Sequence, residues 1–263
     1  PRLPVRVHAM HALREIDFGE KTAEVLIEEV QRGEFTSAWE ATAILGEHHV
    51  SAAVPTLQAA LDSEDPFLVG KSMVALVRLG DQSSYPRIID IFRRASNPRI
   101  IIHGANAIVE MGDRSTIPEL LQRLINDDLP GAVLDELLTA LATLCGCEDE
   151  FYRVLREYNR APAEAEAMLQ ASLESLLGKA PPLSEVAPAR LAAAAGDLLP
   201  RRGEDECARH IVAYFTTGDT SSGTIGGTEF KSAPTTRAKI SACLAVILGS
   251  IAESTTEAAG YEL

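Results

Sequence analysis

SAWEATAILGEHHVSAAVPTLQAALDSEDP (residues 37–66), KSMVALVRLGDQSSYPRIIDIFRRASNP (71–98) and HGANAIVEMGDRSTIPELLQRLINDDLP (103–130) are one pattern written three times. Gly46, Gly80 and Gly112 are spaced 34 and 32 apart, Pro55, Pro86 and Pro118 are spaced 31 and 32, and Pro66, Pro98 and Pro130 are spaced 32 and 32. Three independent markers on one period indicate a helix–turn–helix repeat, since each repeat needs its neighbours to bury its apolar face. Each marker has a physical role. The Gly ends a first helix in the left-handed conformation that only Gly enters cheaply. Ser83, Ser84 and Ser115 are capping residue types for the second helix. The middle Pro fits its first turn, where a missing N–H costs nothing. The terminal Pro, after Asp65, Asn97 or Leu129, opens the next repeat.

The period predicts helices 36–46 with 50–62, 67–80 with 84–95, and 99–112 with 116–126. In the second helices Val54, Tyr85 and Ile117 share one position, Leu57, Ile88 and Leu120 lie three later, and Leu61, Phe92 and Leu124 four beyond. That i, i+3, i+7 stripe marks a buried face. In the first helices Ala41, Ala75 and Ala107 are small enough to let helices approach closely. The expected fold is all-α, a right-handed α–α superhelix of repeats over 1–147. A divergent helical repeat follows at 148–180. A C-terminal helical segment at 181–263 contains a mobile Gly/Ser/Thr-rich loop at 216–234.

These windows resemble HEAT-like repeats, in particular the short bacterial kind of the phycobilisome-lyase type. Val5-Arg6-Val7-His8-Ala9-Met10-His11-Ala12-Leu13 matches that family's V-R-x-x-A-x-x-A-L pattern. The middle repeats depart from it, with Phe35, Val69 and Ile101 where the Arg stands. The resemblance implies a solenoid whose second helices line a concave face. It also implies, as an alternative function, bilin-lyase-like handling of a chromophore. The match begins inside a repeat and the chain starts at Pro1, so a piece of a longer polypeptide is expected.

Composition narrows the function further. Hydrophobic residues are 46% of the 263, enough to bury a sizeable core. A net charge of −14 and a single tryptophan, Trp39, argue against nucleic-acid binding and against a helical-repeat nucleic-acid enzyme, both of which need a basic groove. No apolar run reaches the ~18 residues of a membrane span. Cys145, Cys147, Cys207 and Cys243 are too few for a disulfide framework and read as reduced thiols of a cytoplasmic protein.

Candidate chemistry is sparse. Cys207 and His210 have half-site spacing, but zinc needs three or four ligands and no second half-site accompanies them. In Cys145-Gly146-Cys147 the Gly reads as the repeat's own cap. His8, His11, His48 and His49 read as solvated surface. The loop at 216–234 lacks the G-x-x-x-x-G-K-[ST] order of a phosphate loop. No catalytic residue, cofactor or metal is therefore assigned. The expected function is a non-enzymatic interaction scaffold or regulatory module. Its protein partner would meet the concave face of the repeats, on the non-core side of the second helices, at Arg87, Asp90, Arg93, Arg94, Glu119, Gln122 and Arg123.

Overall fold

A computed structural model describes residues 8, 9, 12, 19–33, 35–126 and 129–146, then 148, 149, 151, 152, 156, 160, 161, 164 and 167. The expected C-terminal helices, the 216–234 loop, Cys147, Cys207, His210 and Cys243 lie outside the described residues, as do His11 and most of the Val5–Leu13 motif. The described elements are all helical, with no strand among them. They are α1 (Glu20–Arg32), α2 (Phe35–Glu47), α3 (Val54–Ala60), α4 (Pro66–Arg78), α5 (Tyr85–Arg94), α6 (Pro98–Met111), α7 (Ile117–Asn126) and α8 (Gly131–Cys145). Among the described residues no helix is long and apolar enough to cross a membrane.

The chain forms two compact units, Pro1–Gly112 and Asp113–Leu263. In the first unit α1 packs on α2, α2 on α4 and α4 on α6, while the shorter α3 packs on α4 and α5 on α6. In the second, α7 packs on α8. The apolar stripe of the second helices is where the sequence puts it. Leu57, Ile88 and Leu120 are fully buried, as is Phe92, and Leu61 and Leu124 are nearly so. Of the preceding column only Ile117 is buried, whereas Val54 and Tyr85 are half-buried.

Asp65 and Asn97 cap α4 and α6, accepting hydrogen bonds from Phe67 N and Arg99 N at 2.9 Å, with Pro66 and Pro98 in the first turn. The third terminal Pro behaves differently: Pro130 is itself the flanking residue of α8 and supplies no side-chain cap. The serines also differ from expectation. Each second helix enters through a short 3-10 turn, at Ser51–Ala53, Gln82–Ser84 and Arg114–Thr116. Ser84 makes no capping bond to α5; instead Ser83 Oγ and Ser84 Oγ donate to Asp81 at 2.6 and 2.5 Å. Ser115 donates both its N–H and its Oγ to Asp113, at 2.9 and 2.7 Å. The carboxylate after the glycine is the hub, because it accepts several donors at once.

The glycine marker holds in two windows and fails in the first. Gly80 and Gly112 have φ of 71° and 64°, and Gly146 has 72°. Gly46 instead lies inside α2, fully buried, where a Cβ would stand 2.9 Å from Ala75 Cα. The left-handed position falls to His49, with φ 52°. Gly46 is there for close packing, and Ala75 supplies the small partner surface.

Candidate functional site

The face singled out on the second helices is carried best by α5. Ile88 and Phe92 point into the core, and Arg87, Arg93 and Arg94 are exposed, with Asp90 half-buried. Arg87 is tied to α3 through an ion pair with Asp62 and a 3.3 Å bond to the Gln58 carbonyl. Arg94 pairs with Asp90 one turn back at 3.0 Å. Arg93 also has an interaction. The arginines are therefore partly neutralised at home, by exposed pairs that contribute only ~0–1 kcal/mol and give way readily to a stronger partner. Glu119, Gln122 and Arg123 lie on α7 in the second unit, Gln122 exposed and the other two half-buried.

A second arrangement, on the first helices, was not anticipated. A groove of about 490 Å3 runs across α2, α4 and α6. Its apolar lining is Ala43, Val74, Ala75 and Val109, and its polar lining includes Lys71, Arg78, His103, Asn106 and Glu110. Gly70 makes it possible: a Cβ there would stand 2.4 Å from His103 Cδ2, so the imidazole of α6 fits only because α4 has no side chain at that point. At one end Arg78 donates to Glu110 Oε1 through Nε at 3.0 Å and Nη2 at 2.5 Å. Beside the groove His103 sits 6.5 Å from the Phe67 ring, Arg99 lies 3.8 Å over that ring, and Phe67 stacks on Trp39 at 4.3 Å. Trp39 Nε1 donates to Asp65 at 2.5 Å, which fixes the indole.

The electrostatics around His103 are one-sided. Lys71 and Arg99 have no acidic partner among the described residues, and the His103 imidazole makes no hydrogen bond there. Burial, then Lys71, then Arg99 hold the His103 pKa below the ordinary histidine value. The lowered pKa favours the neutral imidazole near pH 7, with Lys71 and Arg99 acting on it.

The sequence carried a signal for this groove. Phe67 and Arg99, Lys71 and His103, Val74 and Asn106, and Arg78 and Glu110 are each 32 apart. They form an i, i+4, i+7, i+11 face on both first helices, and every 32-residue-related pair includes a polar residue. The signal is lost when only second helices are inspected for polar faces. His49, expected as solvated surface, is exposed but anchors the α2 turn through a 2.9 Å bond from Nδ1 to the Arg78 carbonyl. Cys145, at the end of α8, is a free, half-buried thiol, and its companion Gly146 takes the cap position expected of it. Among the described residues no group of three or more His, Cys, Asp or Glu is placed to hold a metal ion.

Comparison with protein-family models, with curated proteins and with solved structures finds no match to this chain.

Proposed function

We propose that the chain is a HEAT-like helical-repeat module, a non-enzymatic scaffold that binds a protein partner on the outward face of its second helices. The observation that carries the reading is the division of labour on α5. Within ten residues, Ile88 and Phe92 are fully buried while Arg93 and Arg94 stand exposed. One face of the helix packs into the core, and the other presents charge at the surface. The 32-residue period of the sequence supports the superhelical stack, in which equivalent positions form columns along one surface.

On a chain of net charge −14, exposed arginines act locally. At physiological salt the Debye length is ~8 Å, so an acidic partner segment docking on α5 meets the arginines before it meets the chain's overall charge. Arg93→Glu with Arg94→Glu is the test, read by capture of partners from native lysate on immobilised wild type and variant. The expected result is loss of the captured protein by the variant, with thermal stability within about 0.5 kcal/mol of wild type because both sites are exposed. An identical set of captured proteins contradicts the reading.

A further inference from the structure

We propose that the groove across α2, α4 and α6 is a binding site for an organic oxyanion, a carboxylate or phosphate on a small, partly apolar body, held by Lys71 and His103 of its lining with Arg99 beside them. Three observations meet there. Lys71 and the His103 imidazole line the groove, Arg99 acts on the same imidazole from its own helix, and neither cation forms an ion pair among the described residues, while the carboxylates of Glu47 and Glu110 line the groove as well. On a chain with 38 acidic and 24 basic residues, two cations without an ion-pair partner among the described residues, beside a cavity, form a place that accommodates an anion. The cavity beside it, about 490 Å3, falls in the size range of small-molecule sites, roughly 300–1,000 Å3. Its floor of Ala43, Val74 and Val109 suits an apolar body, and Asn106 adds a neutral hydrogen-bonding group.

The geometry is built rather than incidental. Gly70 leaves the space in which His103 lies, and Phe67, itself stacked on Trp39, supports the Arg99 guanidinium from below. A guanidinium laid on a ring keeps its N–H edge free for an oxyanion. Protonated, the imidazole offers a further charge-assisted donor. The charged groups facing His103 are Lys71 of α4 and Arg99 of its own helix. Glu47 of α2, Arg78 of α4 and Glu110 of α6 line the same groove. Burial is the larger cause of the lowered His103 pKa, and an oxyanion beside Lys71 offsets the further lowering that Lys71 and Arg99 add. Binding and protonation are therefore linked: the His103 pKa rises with ligand bound, and affinity grows by up to about tenfold per pH unit as pH falls through the His103 titration.

The experiment is a pH titration of the His103 ring resonance by NMR on the full chain, assigned with His103→Gln. The probes are phenyl phosphate and benzoate, each against chloride at equal ionic strength. The expected result is a titration midpoint raised by about one pH unit with at least one oxyanion and not with chloride. The rise is lost in Lys71→Gln and kept in Lys71→Arg. A rise with phenyl phosphate alone assigns the site to phosphates, and with benzoate alone to carboxylates. An equal rise in chloride, which is screening only, or no rise with either oxyanion overturns the proposal, as does a full response in folded Lys71→Gln. Should Lys71→Gln lose its helical circular dichroism, Arg99→Gln takes its place with the same two outcomes. The site is independent of the α5 face: Arg93→Glu with Arg94→Glu leaves the His103 titration unmoved, and Lys71→Gln leaves partner capture unmoved.

Discussion

Gly46 and His49 show how a single position can follow the sequence pattern and still do a different job. In the aligned windows Gly46 matches Gly80 and Gly112, but it lies 34 residues before Gly80 where the next interval is 32. The left-handed residues are His49, Gly80 and Gly112, spaced 31 and 32. A histidine in that conformation costs ~1 kcal/mol against glycine, which the hydrogen bond to Arg78 offsets. The residue that keeps the structural period is thus hidden, because composition marks turns by glycine. Gly104 makes a related point about packing. It is buried in α6, and a Cβ there would stand 2.6 Å from Cδ2 and 3.1 Å from Cβ of the fully buried Phe92. Crowding of that kind costs ~1–3 kcal/mol, and the better helix propensity of Ala returns at most ~1. Gly104→Ala is expected to lower stability by about 1–2 kcal/mol in urea denaturation. Gly131→Ala in α8, with nothing within 4 Å of the new methyl, is the control expected to be neutral or mildly stabilising. Equal effects at the two sites would contradict the packing account.

At the scale of elements, the turns between paired helices were legible as turns, and their wiring was not. Serines before a proline read as caps, yet Asp81 gathers Ser83, Ser84 and Gln58, the last at 2.8 Å from α3. A bond from the preceding second helix to the next turn is a contact 23 residues apart in sequence, and local patterning does not encode it. Burial works to raise the Asp81 carboxyl, but the bonds from Ser83, Ser84 and Gln58 outweigh it and leave the pKa below the ordinary value. The side-chain and backbone bonds from Ser115 lower the Asp113 pKa likewise. A folded pKa below the unfolded one means the stabilisation is present above the unfolded carboxylate range, near pH 4, and is lost as pH falls through the folded value. Asp81→Ala is therefore expected to cost about 1 kcal/mol at pH 7. The gap to wild type should shrink when urea denaturation is repeated between pH 5 and pH 3. A gap that stays constant with pH would mean Asp81 acts by shape and not as an ionised acceptor. Helix boundaries fared better: the predicted 67–80 and 99–112 correspond to Pro66–Arg78 and Pro98–Met111. The least accurate was 50–62, of which α3 takes only Val54–Ala60 behind a 3-10 turn, because Leu61 and Asp62 end in turn geometry before Ser63 and Asp65.

Across the molecule, two surfaces emerge from two kinds of helix, and they were unequally visible. The α5 face follows from a strongly amphipathic stretch in which charge and core alternate at helical spacing. The α2, α4 and α6 groove involves helices whose cores are rich in Ala and Gly, so their polar positions look scattered until they are aligned at 32 residues. Its cationic end also depends on the absent side chain at Gly70, which has meaning only when α6 is packed against α4. The functional account rests on the outward face of α5. The most direct measurement places a photo-crosslinking amino acid at position 93 or 94, with position 25 as control, since Val25 is also exposed, at 59%. Irradiation in native lysate, read by gel shift and mass spectrometry, is predicted to yield a discrete protein adduct from 93 and 94 and none from 25. No adduct from 93 and 94, or the same adducts from position 25, would contradict the account.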